Sequence, residues 1–508
     1  MLDLGTSFLA SVERNPTALA IVDGDTRLSY EAWYHAISSV VAALDGAGVK
    51  PGDHVISVLR NRWEAATLHW ACQFAGVVLT PLNWRATADD VGFCVHDAEA
   101  RVIVYEGAPA KAIAAAGLDE SVLHVTLDID RAGGQRFVDW LELDAPPATP
   151  RATAEDWSLM LYTSGTTSKP KGVPRRHRAE RAAAIAHVAQ NRYGNGERTL
   201  GVMPLYHTMG VRSLLASSII NGVFVCLPKF DAAAALQLIE REKIDNLYLV
   251  PTLYHDVVHH PDFAATDVSS VRKLGYAGAS MTDGLLKKLD ASFRPDLFVN
   301  HYGSSEVYTF TIEDDAASKP GSAGRSGINQ MIRVVRLDAT SGNDRAAPNE
   351  EGQIVALLAG DEAFEGYWRR PDADAKALRD GWYFTGDTGY VDDEGDLFVT
   401  GRMDDMIISG GENVSPVEIE SHLSLHPGVD EVAVVGLPDE RWGSVVTAFI
   451  KTSAPVTVDE LDAWCRDSKL ANFKRPRRFV FVEEIPKSPV GKLLRRKLSA
   501  GEYASASH

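Results

Sequence analysis

The stretch from Leu161 to Gly172, Leu-Tyr-Thr-Ser-Gly-Thr-Thr-Ser-Lys-Pro-Lys-Gly, gathers hydroxyl, glycine and lysine residues into one short run. Thr163, Ser164, Thr166 and Thr167 bring hydroxyl donors, Gly165 lets backbone N–H groups turn toward one point, and Lys169 and Lys171 add positive charge. Together these make a concavity for a polyphosphate. The same composition suits a solvated surface loop, and the stretch alone leaves both open. A P-loop is excluded, because neither lysine follows a glycine or precedes a hydroxyl residue. Other chemistry-bearing runs follow along the chain: Met203 to His207, Tyr302 to Glu306, Tyr383 to Asp387, Gly401-Arg402 with Asp404-Asp405, Gly410 to Asn413, and Pro486-Lys487 leading to Gly491-Lys492. Taken singly, each has a plain structural explanation. Asp387 in Thr-Gly-Asp suits a turn, and Lys492, first of the bases in Lys492 to Lys497, suits a solvated basic helix face.

These runs need a scaffold, and the apolar pattern predicts one. Strand-length runs at His54 to Leu59, Val77 to Leu82 and Val102 to Tyr105 alternate with helical segments such as Trp63 to Phe74, which implies βαβ units and largely parallel sheet. The strand Ser158 to Tyr162 leads into the hydroxyl-rich loop after a linker over Ala145 to Thr153. The alternation continues with helices over Ala232 to Glu242 and Asp283 to Ser292 and strands over Leu247 to Val250 and Lys273 to Tyr276. From Gln353 short strands and tight turns take over, with a hairpin turn at Asp392 to Gly395. The fold class is α/β, with a large multi-sheet N-terminal domain over residues 1–402 and a small α+β C-terminal domain over 403–508. The small domain begins with a helix that Ser415, Pro416 and Glu418 start through a capping box and Pro427-Gly428 ends.

The 508 residues exceed one ordinary core. A net charge of -18 argues against nucleic acid or an anionic membrane surface as partner, so an anionic ligand must be met by local positive charge. No secretory signal or membrane span is visible, and the scattered Cys72, Cys94, Cys226 and Cys465 read as reduced thiols, which together predict a cytoplasmic protein.

In their order, the runs resemble the adenylate-forming superfamily of acyl- and aryl-CoA ligases, luciferases and adenylation domains, whose loop reads roughly Tyr-Thr-Ser-Gly-Thr-Thr-Gly-x-Pro-Lys-Gly. Ser168 departs from it where glycine is common. The nearest likeness is to aryl-CoA ligases of the 4-chlorobenzoate:CoA ligase kind, through Asp404 to Asn413, Arg441-Trp442-Gly443 and Phe473 to Pro476. The resemblance implies an AMP-forming acid-thiol ligase that uses ATP, Mg²⁺ and coenzyme A. It assigns Thr163, Ser164, Gly165, Thr166, Thr167, Lys171, Ser305, Asp387 and Arg402 to ATP, Glu306 to the metal, and Lys492, His207 and Glu306 to catalysis. Asp404 becomes the hinge of the small domain, which the resemblance makes a mobile lid. Gly411, Trp442, Phe473, Arg475 and Arg477 are assigned to coenzyme A.

The same resemblance puts His207, Thr208, Met209, Ala277, His301, Gly303, Tyr308 and Thr309 around the acyl group. Arg212, four residues after Thr208, shares its helical face; it either reaches the substrate or is bonded to backbone carbonyls or a neighbouring acid. The expected substrate is a small-molecule carboxylic acid, aromatic or heteroaromatic with a polar substituent, and a small dicarboxylic acid is the runner-up. The same motifs also suit an enzyme that loads a separate carrier protein, or a catalytically idle adenylate sensor. A homodimeric assembly is left open.

Overall fold

Short β-branched runs pair in parallel wherever a helix returns the chain to the same sheet edge. The computed structural model describes residues 1–163, 169–403, 405–452, 454–468, 470–487 and 493–506. Among them, His54–Val58, Val78–Pro81 and Val102–Tyr105 lie in a seven-stranded sheet. That sheet runs parallel as far as Trp157–Thr163, which then turns back antiparallel through Lys171–Arg176. The strands that flank the hydroxyl-rich stretch therefore form an antiparallel hairpin pair, with Thr163 and Lys171 opposite each other at its open end.

A fourteen-stranded sheet carries the middle of the chain. Leu19–Asp23, Val223–Cys226, Arg198–Gly201, Asn246–Leu249, Lys273–Ala277 and Leu297–Tyr302 pair in parallel. From Thr311–Glu313 onward the pairing is antiparallel, through Ser322–Ser326, Leu397–Arg402, Trp382–Val391, Gly352–Leu357 and Ile332–Val335. The sequence puts the shift to short strands and tight turns at Gln353; the antiparallel pairing begins earlier, at Thr311–Glu313.

The helix Trp63–Ala75 is buried on every face from Ala65 onward, the polar Thr67, His69 and Gln73 included. Phe8, Trp33, Trp70 and Phe74 pack around one another there, with Phe8 4.7 Å from Trp70 and edge-on to Trp33 at 5.2 Å. Gly76, at φ +69°, lets the amide return to Cys72 and stops the helix.

The C-terminal residues build a separate five-stranded sheet around the long antiparallel pair Val429–Asp439 and Gly443–Thr452. The expected capping box at Ser415 does not form. The Ser415 hydroxyl donates to the Thr400 carbonyl, and Glu418 is drawn to Lys474 at 2.6 Å, so both groups are spent on tertiary contacts. The helix is Pro416–Leu423, ending before Pro427. A capping box forms instead at Thr457 and Glu460, opening the helix Val458–Arg466. No helix among the described residues is long and apolar enough to cross a membrane, and all four cysteines are free and buried.

An ion pair ties the fourteen-stranded sheet system to the C-terminal one. His255, on the helix Pro251–Val258, lies 3.1 Å from Asp430 of the C-terminal sheet. Burial opposes its charge, but hydrogen bonds to Asp256 and Asp430 and the nearby Glu431 outweigh burial and raise its pKa to about 9. The His259 ring lies tilted against it at 4.1 Å, and Lys451 shares Asp430. Because the folded pKa lies above the unfolded value of about 6.5, this stabilisation is complete below about pH 6.5 and is lost as pH rises through 9. The melting temperature is expected to fall between pH 7 and 10, and Asp430→Asn is expected to flatten that fall. Identical pH profiles for wild type and variant would show that the pair does not hold the contact.

Candidate active site

Two carboxylates stand near the hairpin, each held by aromatic hydroxyls. Glu306 follows the turn after Leu297–Tyr302 and is buried. Its Oε1 accepts a hydrogen bond from the Tyr367 hydroxyl at 2.7 Å, and its carbonyl accepts from Arg175 Nη1 at 3.0 Å and from the Phe364 amide at 2.8 Å. Lys171 lies over the Tyr367 ring at 4.1 Å. Burial pulls the Lys171 pKa down, and the Glu306 charge opposes that. Arg370 and Arg402 also lower the Lys171 pKa, so the hairpin mouth gathers several cations around the one buried carboxylate of Glu306.

Asp387 sits in Trp382–Val391 opposite Arg402 in register, with the guanidinium 3.4 Å from its carboxylate. The Tyr302 hydroxyl donates to Asp387 Oδ2 at 2.5 Å, and burial, then the Asp387 charge, push its pKa well above the ordinary tyrosine value. Gly386 has φ +78°, where a side chain would be strained, and a Cβ there would meet Arg402 at 3.0 Å. Tyr302 and Tyr383 lie on two strands of the fourteen-stranded sheet, the first leading into Glu306 and the second carrying Asp387. Tyr302, Tyr367, Tyr383 and Arg175 lay outside the expected site. Tyr302 and Tyr383 open the very runs that hold Glu306 and Asp387, a signal present in the sequence, whereas Tyr367 and Arg175 join only through folding.

The expected acyl residues meet at one place. His207 caps the helix Thr208–Ile219 and accepts from the Met209 amide at 3.3 Å, which sets Thr208 and Met209 at its first turn. Ala277 and His301 are paired across neighbouring parallel strands. A Cβ at Gly303 would collide with the Tyr308 carbonyl, so only glycine lets the turn close over Tyr308 and Thr309. Arg212 is buried and spans the two halves: Nη1 is 2.6 Å from His301 Nε2, 3.1 Å from Thr309 Oγ1 and 3.3 Å from the Tyr308 carbonyl. Of the protein partners expected for it, the backbone carbonyl is present, and no carboxylate lies within 4.0 Å of it among the described residues. His187 and Tyr248, which sequence reasoning missed, pack against His301 at ring separations of 5.9 and 5.8 Å.

The expected coenzyme A residues lie in turns and loops that border the strands of the C-terminal sheet. Trp442 and Phe473 are exposed at 40% and 44%, unusual for large aromatics. Gly411 has φ +90° with open space at its Cβ position, next to Gly410, whose amide bonds the Trp442 carbonyl at 2.8 Å. Arg475 is committed to Asp462, and Arg477 donates to the Asn472 carbonyl at 2.9 Å. Ser305 is on the turn before Glu306, half-buried. Ser164, Gly165, Thr166, Thr167, Asp404 and Lys492 lie outside the described residues.

The one acidic group with metal-like spacing among the described residues, Asp392, Glu394 and Asp396, is filled by Lys319, which bonds all three. Glu306, a buried oxygen donor beside the hairpin, suits a hard cation that takes one carboxylate plus phosphate oxygens.

A 4-chlorobenzoate–CoA ligase of Arthrobacter sp is 34% identical over 501 residues, 98% of this chain and 94% of its own length. A feruloyl-CoA synthase of Amycolatopsis sp is 32% identical over 97% of each chain. Among solved structures, ATP-bound MatB from Rhodopseudomonas palustris superposes with a TM-score of 0.88 at 27% identity, covering 98% of both chains. The family model for the AMP-binding enzyme matches residues 8–368, and that for the AMP-binding enzyme C-terminal domain matches residues 418–492. With both models matched in order along the chain, this protein belongs to the AMP-binding enzyme family.

Proposed function

We propose that this protein is an ATP- and magnesium-dependent carboxylate:CoA ligase for an aromatic or heteroaromatic acid bearing a polar substituent. The observation that carries the reading is the pairing of Asp387 with Arg402 and Tyr302 beside the Glu306–Tyr367–Lys171 group. A carboxylate flanked by an arginine suits the paired hydroxyls of a ribose, and a lysine at the mouth of a donor-rich hairpin suits phosphates. The names of the two curated relatives, both aryl-CoA ligases, support an aromatic acid.

In the first half-reaction the substrate carboxylate attacks the α-phosphate of ATP, the bond between the α-phosphorus and the bridging oxygen breaks, and pyrophosphate leaves. Lys171 and the hairpin donors hold the phosphates, Asp387 and Arg402 fix the ribose, and Lys492 meets the carboxylate and α-phosphate. Glu306 is the residue for Mg²⁺, which supplies charge neutralisation on the phosphates. In the second half-reaction the coenzyme A thiolate attacks the acyl carbonyl and AMP leaves. Trp442 and Phe473 offer stacking surfaces for its nucleotide end, and Arg477 offers charge. We assign the adenylate- and acid-binding domain to residues 1–402 and the mobile lid to 403–508, hinged at Asp404.

Pyrophosphate release and coenzyme A consumption across benzoate, hydroxybenzoates, linear acids and short dicarboxylates test the reading. The expected result is acid-dependent pyrophosphate release matched by stoichiometric loss of free thiol. Pyrophosphate release with no thiol loss would favour loading of a separate carrier protein, and no exchange with any acid would favour an adenylate sensor.

A further inference from the structure

Among the described residues, the acyl side holds a buried positive charge with no carboxylate within 4.0 Å and several buried N–H donors without a partner. Arg212 is 2% exposed and permanently protonated, so where it contacts His301 Nε2 the imidazole must accept. That places the His301 proton on Nδ1, a buried atom with no partner among the described residues. Arg212 Nε is likewise buried without a partner among them. On the adjoining ring, the Asn191 amide donates to His187 Nδ1 at 3.0 Å, so the His187 proton is on Nε2, also buried and unpartnered. Both imidazoles are kept neutral, by burial first and then by the Arg212 charge. Glu362 feels the Arg212 charge but forms no ion pair with it within 4.0 Å. Burial raises its pKa, the Arg212 charge and bonds to Thr309 and Asn329, the latter at 3.1 Å, oppose that, and burial prevails. A buried cation with no carboxylate within 4.0 Å among the described residues, ringed by unmet N–H donors, is costly unless an acceptor-rich anion arrives with the ligand.

We propose that Arg212, His301 and His187 form a recognition site for a second carboxylate on the acid substrate, at the end remote from the carboxyl that is activated. The inference rests on the ligase reading and narrows it: the polar substituent is anionic, and the substrate class is a dicarboxylic acid, aromatic by preference. Arg212 supplies the charge and the imidazole N–H groups supply further donors, while the ring faces of Tyr248 and Tyr308, 5.6 and 5.4 Å from the Arg212 guanidinium, flank the site. Buried groups of this kind discriminate against ligands that leave them unpaired.

The test compares kcat/KM for isophthalate, terephthalate and a short linear dicarboxylate with benzoate and 3-hydroxybenzoate, by pyrophosphate release, in wild type, Arg212→Leu and His301→Gln. A dicarboxylate is expected to exceed benzoate by on the order of 100-fold in wild type, and the ratio is expected to collapse toward one in Arg212→Leu. His301→Gln, which retains a donor, is expected to lower the ratio only partly and serves if Arg212→Leu fails to fold. Calorimetric titration of wild type with the same acids reads binding without turnover. Equal loss for mono- and dicarboxylates in the variants would mark Arg212 as a structural clamp and overturn the proposal. So would wild-type activation of benzoate with coenzyme A consumption but no dicarboxylate preference, an outcome that leaves the ligase reading standing. Preferential dicarboxylate binding with no thiol consumption would support the site and overturn the ligase reading instead.

Discussion

Lys492→Ala is expected to slow acyl-adenylate formation by at least about 10²-fold while thioester formation from supplied acyl-adenylate falls far less. A compact ammonium on a flexible stem can meet the carboxylate and α-phosphate while charge develops there, yet has no corresponding partner when a thiolate attacks the acyl carbonyl. The asymmetry is the diagnostic. Single-turnover measurement of each half-reaction, with ATP plus acid in one and purified acyl-adenylate plus coenzyme A in the other, reads it directly. Equal loss in both would show that Lys492 acts through folding or through a group common to the two steps.

Arg175→Met is expected to destabilise the fold by about 3–5 kcal/mol, because it leaves a buried carboxylate without its counter-charge. Arg175 and Glu180 are both fully buried and meet at 2.7 Å, and the same guanidinium lies over the Tyr308 ring at 4.1 Å and donates to the Glu306 carbonyl. Removing both charges, in Arg175→Met with Glu180→Leu, is expected to recover most of that loss, since replacing a whole buried pair costs little. Urea denaturation of the single and double variants separates the two contributions. If the double variant regains stability but not pyrophosphate release, Arg175 also positions Glu306 beside the hairpin. A single-variant loss under about 1 kcal/mol would mean the pair behaves as a solvated one.

Short-range pattern made much of this protein legible from its sequence. Strands such as Val102–Tyr105 and helices such as Ala232–Glu242 follow from periodicity and turn residues, because hydrogen bonding within an element and burial of one face are local demands. The order of the motif runs was enough to identify the family, since each run keeps its residues within a single turn or strand end. Where a side chain had a choice of partners, the sequence was silent. Ser415 had every local reason to cap its helix, yet its hydroxyl went to the Thr400 carbonyl, and the capping box formed at Thr457 instead. Tertiary contact decided this because the side chain that aims its proton at Thr400 does not present its oxygen to the helix amides it would have to accept from. The acyl side shows the same division on a larger scale. Helical spacing put Arg212 on the face of Thr208, but residues 89 and 97 positions away, His301 and Thr309, receive its guanidinium. Tyr367 reaches Glu306 across 61 residues, and His187 and Tyr248 join the cluster from other elements. Which polar groups become buried together, and which are left with protons to give, depends on sheet order and helix packing, so only the tertiary structure decided it.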